Sequence, residues 1–174
     1  TVPVSPALIK WEIEHGLRGI IQPSLLARTE ALVAVGGYRE KFILAEESDL
    51  FMRLSEHFTF INAPEYLCKI RIRPDSLSLK NMAENSWYSI YSLKCLKRRK
   101  KGRPEQDFNE FRASADMMTR YQYWREQWLL VNWRKSLGNS DLFSLLIAGF
   151  IDPRRVVSRI LRFLDGHFYK KESG

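Results

Sequence analysis

Three carboxylates, Glu46, Glu47 and Asp49, stand within four positions of one another, shortly after the glycine pair Gly36-Gly37. Ionised carboxylates this close repel, so their clustering points to a role beyond solubility. A carboxylate held at a cleft can take a proton from an incoming hydroxyl. Glycines without side chains let backbone come close to a ligand. The same residues have a plainer use. A helix N-terminus offers free amides and a partial positive charge that stabilise acids. Asp49 also faces Arg53 at the i+4 spacing of a helical ion pair. The glycine pair serves equally as a helix C-cap, and its two roles are compatible.

The elements that must carry these residues are short. Pro6 to His15 reads as a helix, with Pro6 near its start and Gly16 as its stop. Gly19 to Ala27 reads as an extended segment confined by Pro23 to an edge or a strand end. Thr29 is a plausible N-cap for a helix through Val35. Ser48 or Asp49 starts an amphipathic helix to about Glu56, with Leu50, Phe51 and Leu54 as its apolar stripe. Phe58 to Asn62 is β-rich, Ala63-Pro64 turns, and Tyr66 to Arg73 reads as a second strand closed by Pro74-Asp75.

In that order, the pieces resemble the second half of the catalytic domain of family 2 glycosyltransferases. Ile21 to Arg28 is similar to the strand before that family's glycine turn, and Val35-Gly36-Gly37-Tyr38-Arg39-Glu40-Lys41-Phe42 to the turn itself. Ala45-Glu46-Glu47-Ser48-Asp49-Leu50-Phe51-Met52-Arg53-Leu54 resembles the acidic motif that follows, and Leu67 to Ser78 the closing strand and turn. The resemblance covers about a third of the chain. It implies an inverting enzyme that moves a sugar from a nucleotide-sugar donor to a hydroxyl acceptor, namely a glycan, a lipid-linked acceptor or a surface polysaccharide. Glu47 matches the general base, as a Glu where the family usually has Asp, and Glu46 matches the first acid of the pair, near the acceptor. Gly36 and Gly37 match the turn facing donor and acceptor, and Asp49 and Arg53 match positions that hold the helix. Where the family often has a histidine near the diphosphate or its metal, this chain has Arg73, after Arg71. Arginine cannot bind a cation but pairs with phosphate, while a solvated strand face is the plain reading of both.

The resemblance also sets an expected fold class. It is α/β, with the C-terminal half of a GT-A, Rossmann-like nucleotide-sugar domain over residues 1–80 and a basic, mainly α-helical region over residues 81–174. The family's nucleotide-binding half and its DxD motif, which holds a divalent metal (Mg or Mn), do not occur in these residues. The chain opens on Thr1 and is read as a piece of a longer protein, unable to transfer sugar alone. No metal is expected to be held by this piece.

Composition bounds the rest. The 174 residues are 45% hydrophobic and 13% aromatic, which suits a packed core and excludes disorder. Cys68 and Cys95 lack a metal or disulfide spacing, which fits a reducing compartment. The longest apolar run, Leu142 to Ile151, is about half of the ~20 residues a membrane span needs. A cytoplasmic location is expected, peripheral to the inner face of a membrane.

The net charge of +8 is unevenly spread. Residues 1–80 hold ten basic and ten acidic residues, whereas residues 81–174 hold eighteen and ten. Lys94, Lys97, Arg98, Arg99, Lys100, Lys101 and Arg103 concentrate the excess. They read as cations matched to a helix C-terminus, or as a contact for anionic lipid headgroups, each worth about 1 kcal/mol. Nucleic acid is the less favoured partner, since no nucleic-acid-binding motif accompanies the patch. The rival to an enzyme is therefore a non-catalytic basic helical adaptor for an anionic membrane surface or nucleic acid. Helices are expected over 81–101, 105–136, 140–151 and from Asp152-Pro153 to Leu164. Met117, Tyr121, Trp124 and Trp128 share one helical face and are expected in the core, with a carbohydrate-stacking platform as the alternative. Leu142 to Ile151 and the arginines 154, 155, 159 and 162 read as a buried bundle helix, or as an amphipathic pair along an interface.

Overall fold

The computed structural model describes residues 3–17, 19–63, 65, 67–69, 80–136 and 152–172, with the backbone alone at 129–136 and 166–172. Seven α-helices occur among these residues. They are α1 (Pro6–Glu14), α2 (Thr29–Ala34), α3 (Glu46–His57), α4 (Met82–Arg99), α5 (Phe108–Ala113), α6 (Met117–Ser136) and α7 (Pro153–Glu172), with a single 3-10 turn at Gln22–Ser24.

The helix signals work where they are local. Pro6 sits in the first turn of α1, where its missing N–H costs nothing. Gly16, Gly36, Gly37 and Gly102 all take positive φ, and three helices stop just before them. α3 begins two residues earlier than the sequence suggests, at Glu46, after Ala45 in the left-handed region at φ 53°. Glu46 and Glu47 therefore lie inside the first helical turn rather than ahead of it.

α3 is the central helix, buried nearly all round from Asp49 to Ser55. It packs against α1 on one side and α4 on the other. Ile9, Ile13 and Ile20 meet Leu50, Phe51, Met52 and Leu54 there, closed by Leu93 and Leu96 of α4. Each such fully buried side chain contributes about 2 kcal/mol. The opposite flank of α4 builds an aromatic core with Phe42, Phe108 and Phe111. Tyr88 stacks on Phe108 at 4.0 Å between ring centroids, and Trp87 stacks on Tyr123 at 4.6 Å.

The α/β expectation does not hold: among the described residues there is no strand. The reason is pairing. Pro23 turns its segment into the 3-10 turn. Phe58 does adopt extended backbone, but residues 58–62 find no ladder. Asn62 ties that segment down instead, its side-chain amide donating to the Pro3 carbonyl (2.7 Å) and the Gly19 carbonyl (2.9 Å). β-propensity describes a side chain that fits a sheet; without a neighbouring strand it makes none. Of the second expected strand, residues 66 and 70–73 lie outside the described residues. The expected helix at 140–151 lies outside them too.

Two more expectations are corrected. Residues 105–136 form two helices, because the Asp107 carboxylate accepts the Asn109 amide and the Asp116 carboxylate accepts the Thr119 amide, both at 2.8 Å. Each caps its own helix start. On α6 the inner stripe is Thr119, Tyr123 and Gln127, with the Gln127 amide donating to Ser86 Oγ at 2.8 Å. Met117 (87% exposed), Tyr121 and Trp124 (53%) consequently face solvent rather than the core.

Candidate functional site

Asp49 organises the segment from residue 35 to residue 53. Its carboxylate is almost wholly buried and accepts from two arginines. Arg53 Nε donates to Oδ2 at 2.9 Å, one helical turn on. Arg39 Nε donates to the same oxygen at 2.9 Å, and its Nη2 donates to Oδ1. Arg53 then reaches back, with Nη2 donating to the Gly37 carbonyl at 2.6 Å and Nη1 to the Val35 carbonyl. The glycine turn is thus pinned to α3 through one buried carboxylate. Local charge complementarity makes this possible, since a buried carboxylate is tolerated only when paired and hydrogen-bonded.

Gly36 and Gly37 have φ of +79° and +60°, and a Cβ on either would meet nothing within 4 Å. Backbone conformation, not packing, demands glycine there. The space in front of the turn is open.

The acidic cluster divides in two. Asp49 is neutralised inside. Glu46 and Glu47 are half-buried in the first turn of α3, where the helix dipole favours negative charge. The expected Asp49–Arg53 pair is present. Arg71 and Arg73 lie outside the described residues.

The structure adds partners that the sequence did not single out. Arg39 continues to Glu105 (Nη1 to Oε2, 2.8 Å), and Lys41 donates to the same oxygen at 2.6 Å. Arg99 donates Nη1 to the other Glu105 oxygen and holds Glu56 through Nε (2.8 Å) and Nη2 (2.6 Å). The loop between α4 and α5 is thereby tied to α3 and to the glycine turn. Burial alone would push the Glu105 carboxyl up, but hydrogen bonds from Lys41, Arg99 and Arg39 outweigh it and hold it at about 2. Burial works against the Arg39 charge, yet Asp49 and Glu105 together raise it above the ordinary guanidinium value. Beneath the network, Tyr91 OH donates to the Gln106 carbonyl at 2.5 Å. Burial pushes the Cys95 thiol up to about 11, so it is a core group rather than a nucleophile. Arg39 had a local signal, its place two residues after Gly37. Glu105 had only the weak one of being the first acid after seven cations.

The basic run also divides. Arg99 is part of the network and Lys100 pairs with Glu14 at 2.7 Å. Lys97, Lys101 and Arg103 form no salt bridge among the described residues, and Lys94 acts on the nearby Asp116 carboxylate by charge alone. Two shallow hollows lie beside this run, between α4, α5 and α6, lined among others by Lys94, Asp116 and Thr119. Neither includes a residue of α3. No group of three or more His, Cys, Asp or Glu side chains converges as a metal site among the described residues.

No protein-family model, no curated protein and no solved structure matches the chain. Together with the absence of any strand among the described residues, this overturns the resemblance to family 2 glycosyltransferases and the GT-A half-domain inferred from it.

Proposed function

We propose that residues 36–53 form the hydroxyl-activating part of a site that transfers a sugar from a nucleotide-sugar donor, with Glu47 as the base and Glu46 beside it near the acceptor. The observation that supports this reading is the clamp of Asp49, Arg39 and Arg53, which fixes an open glycine turn against the helix end that carries both glutamates. In the proposed step the Glu47 carboxylate takes the acceptor hydroxyl proton. The oxygen attacks the anomeric carbon from the side opposite the leaving nucleoside diphosphate, so the configuration inverts. Asp49 and the two arginines position the turn and the helix without touching the reacting atoms.

The test is made in the natural protein that carries this sequence. Glu47→Gln should lower sugar transfer by about 100-fold or more, the range of a lost general base, while nucleotide-sugar binding stays intact. Near-normal turnover in that variant would overturn the reading. The rival, a non-catalytic basic adaptor, predicts no transfer that depends on Glu47.

A further inference from the structure

The cations at the end of α4 sort by side. Arg99 turns to Glu56 and Glu105, and Lys100 to Glu14. Lys94, Lys97 and Arg98 share another face at the i, i+3, i+4 spacing, and Lys101 follows at i+7, just past the helix end. Like charges so placed repel. The helix dipole favours cations in the last turn, but Lys94 lies ahead of that turn. Lys97 feels the crowding: burial lowers its pKa first, and Arg154, Lys94 and Lys101 lower it further.

Two adjoining hollows open on this face, of about 140 Å³ and about 190 Å³. Each is smaller than the ~300 Å³ at the low end of ordinary ligand pockets, so each suits one small group. They share Lys94, Asp116 and Thr119, while Lys97 lines only the first and Arg98 only the second. Arg98 is fixed in place by Nε, which donates to the Pro104 carbonyl. The result is two cationic niches with one lysine on their common wall.

Asp116 is the single carboxylate lining either hollow. It is engaged in starting α6, where it accepts the Thr119 amide at 2.8 Å and the Thr119 hydroxyl, and Lys94 acts on it by charge alone. Three cations against one carboxylate leave a positive excess. A single-stranded nucleic acid would call for stacking aromatics beside the cations, and the exposed Tyr121 and Trp124 line neither hollow.

We propose that the two hollows together bind a diphosphate group, with one phosphate between Lys94 and Lys97 and the other between Lys94 and Arg98. The paired niches set the spacing of two phosphates, and the shared lysine bridges them. The site stands apart from the sugar-transfer reading, because no residue of α3 lines either hollow.

Isothermal titration of the full chain with pyrophosphate and with orthophosphate, at about 0.15 M salt, tests it. One pyrophosphate should bind per chain, about tenfold tighter than orthophosphate, as the second charged contact requires. Lys94→Gln should weaken pyrophosphate binding at least about fivefold, and Lys97→Gln and Arg98→Gln by less. Lys100→Gln removes the same charge from another side of the helix and should bind like the parent, as should Glu47→Gln. Circular dichroism of each variant should match the parent. Phosphatidylcholine vesicles carrying a prenyl diphosphate separate the sources. Flotation that pyrophosphate reverses assigns the group to a lipid, and its absence beside intact pyrophosphate binding assigns it to a soluble molecule. No pyrophosphate binding, equal affinity for the two anions, or a Lys94→Gln loss no larger than that of Lys100→Gln would overturn the proposal. So would tighter binding of single-stranded DNA than of pyrophosphate, which would assign the patch to nucleic acid.

Discussion

Asp49 and Glu12 are both carboxylates with almost no solvent exposure, and they differ in how far along the chain their partners lie. Asp49 is met by Arg53, four residues on, and by Arg39, ten residues back. Glu12 is met by Ser158 and Arg162, across 146 and 150 residues. The first builds a local device that shapes one turn and one helix end. The second fastens the last helix to the first. A buried carboxylate therefore says that a partner exists, but not whether it shapes a site or closes the fold.

The largest effect is expected at Asp49. Asp49→Ala strands two guanidiniums, one of them in the core, and should cost about 4 kcal/mol in denaturant unfolding. It should also release the 35–37 turn, visible as faster amide exchange at Gly36 and Gly37. A loss under about 1 kcal/mol would mean that the clamp is not structural. Glu12→Ala should cost about 3 kcal/mol, less because Arg162 lies nearer the surface and can turn to water. Its exchange signature should be confined to α1 and α7. Increased exchange across α3 as well would break the distinction between the two carboxylates.

Glu105 is intermediate, joining a distant loop to the Asp49 cluster. Glu105→Gln should cost about 2 kcal/mol near neutral pH. Its folded pKa of about 2 lies below the ordinary 4.5. The stability it supplies is therefore present above about pH 4.5 and lost as pH falls toward 2. Unfolding free energies of parent and variant should converge across that window. A constant gap from pH 7 to 2 would refute the ionised role of Glu105.

What was legible in the chain follows the same division. The start of α1, the glycine stops and the Asp49–Arg53 pair depend on residues within a turn or two, where spacing and chemistry are visible together. The extended segments expected at 19–27 and 58–62 failed because a strand is a property of two segments, and these composition-driven readings supplied only one. The α6 stripe failed for a related reason. A helix with aromatics on more than one face does not declare which face its neighbour takes, and Trp87 chose the side of Tyr123. Arg39 lay in plain view within the glycine motif, whereas Glu105 could not be placed beside it without the path of the 100–107 loop.

The order of residues was sufficient for the helical breaks at glycine, for acids at the entrance of α3 and for the basic excess after residue 80, because each is decided by neighbours along the chain. Tertiary structure alone decided that Asp49 is a clamp while Glu46 and Glu47 stay half-exposed. It alone decided that Glu12 is a buried hub and Glu105 a half-buried one, and that α7 faces outward with its apolar side. In each case the cause is the same: the energy of a buried charge or an exposed apolar face depends on what distant segments bring to it, and that is a matter of packing rather than of spacing.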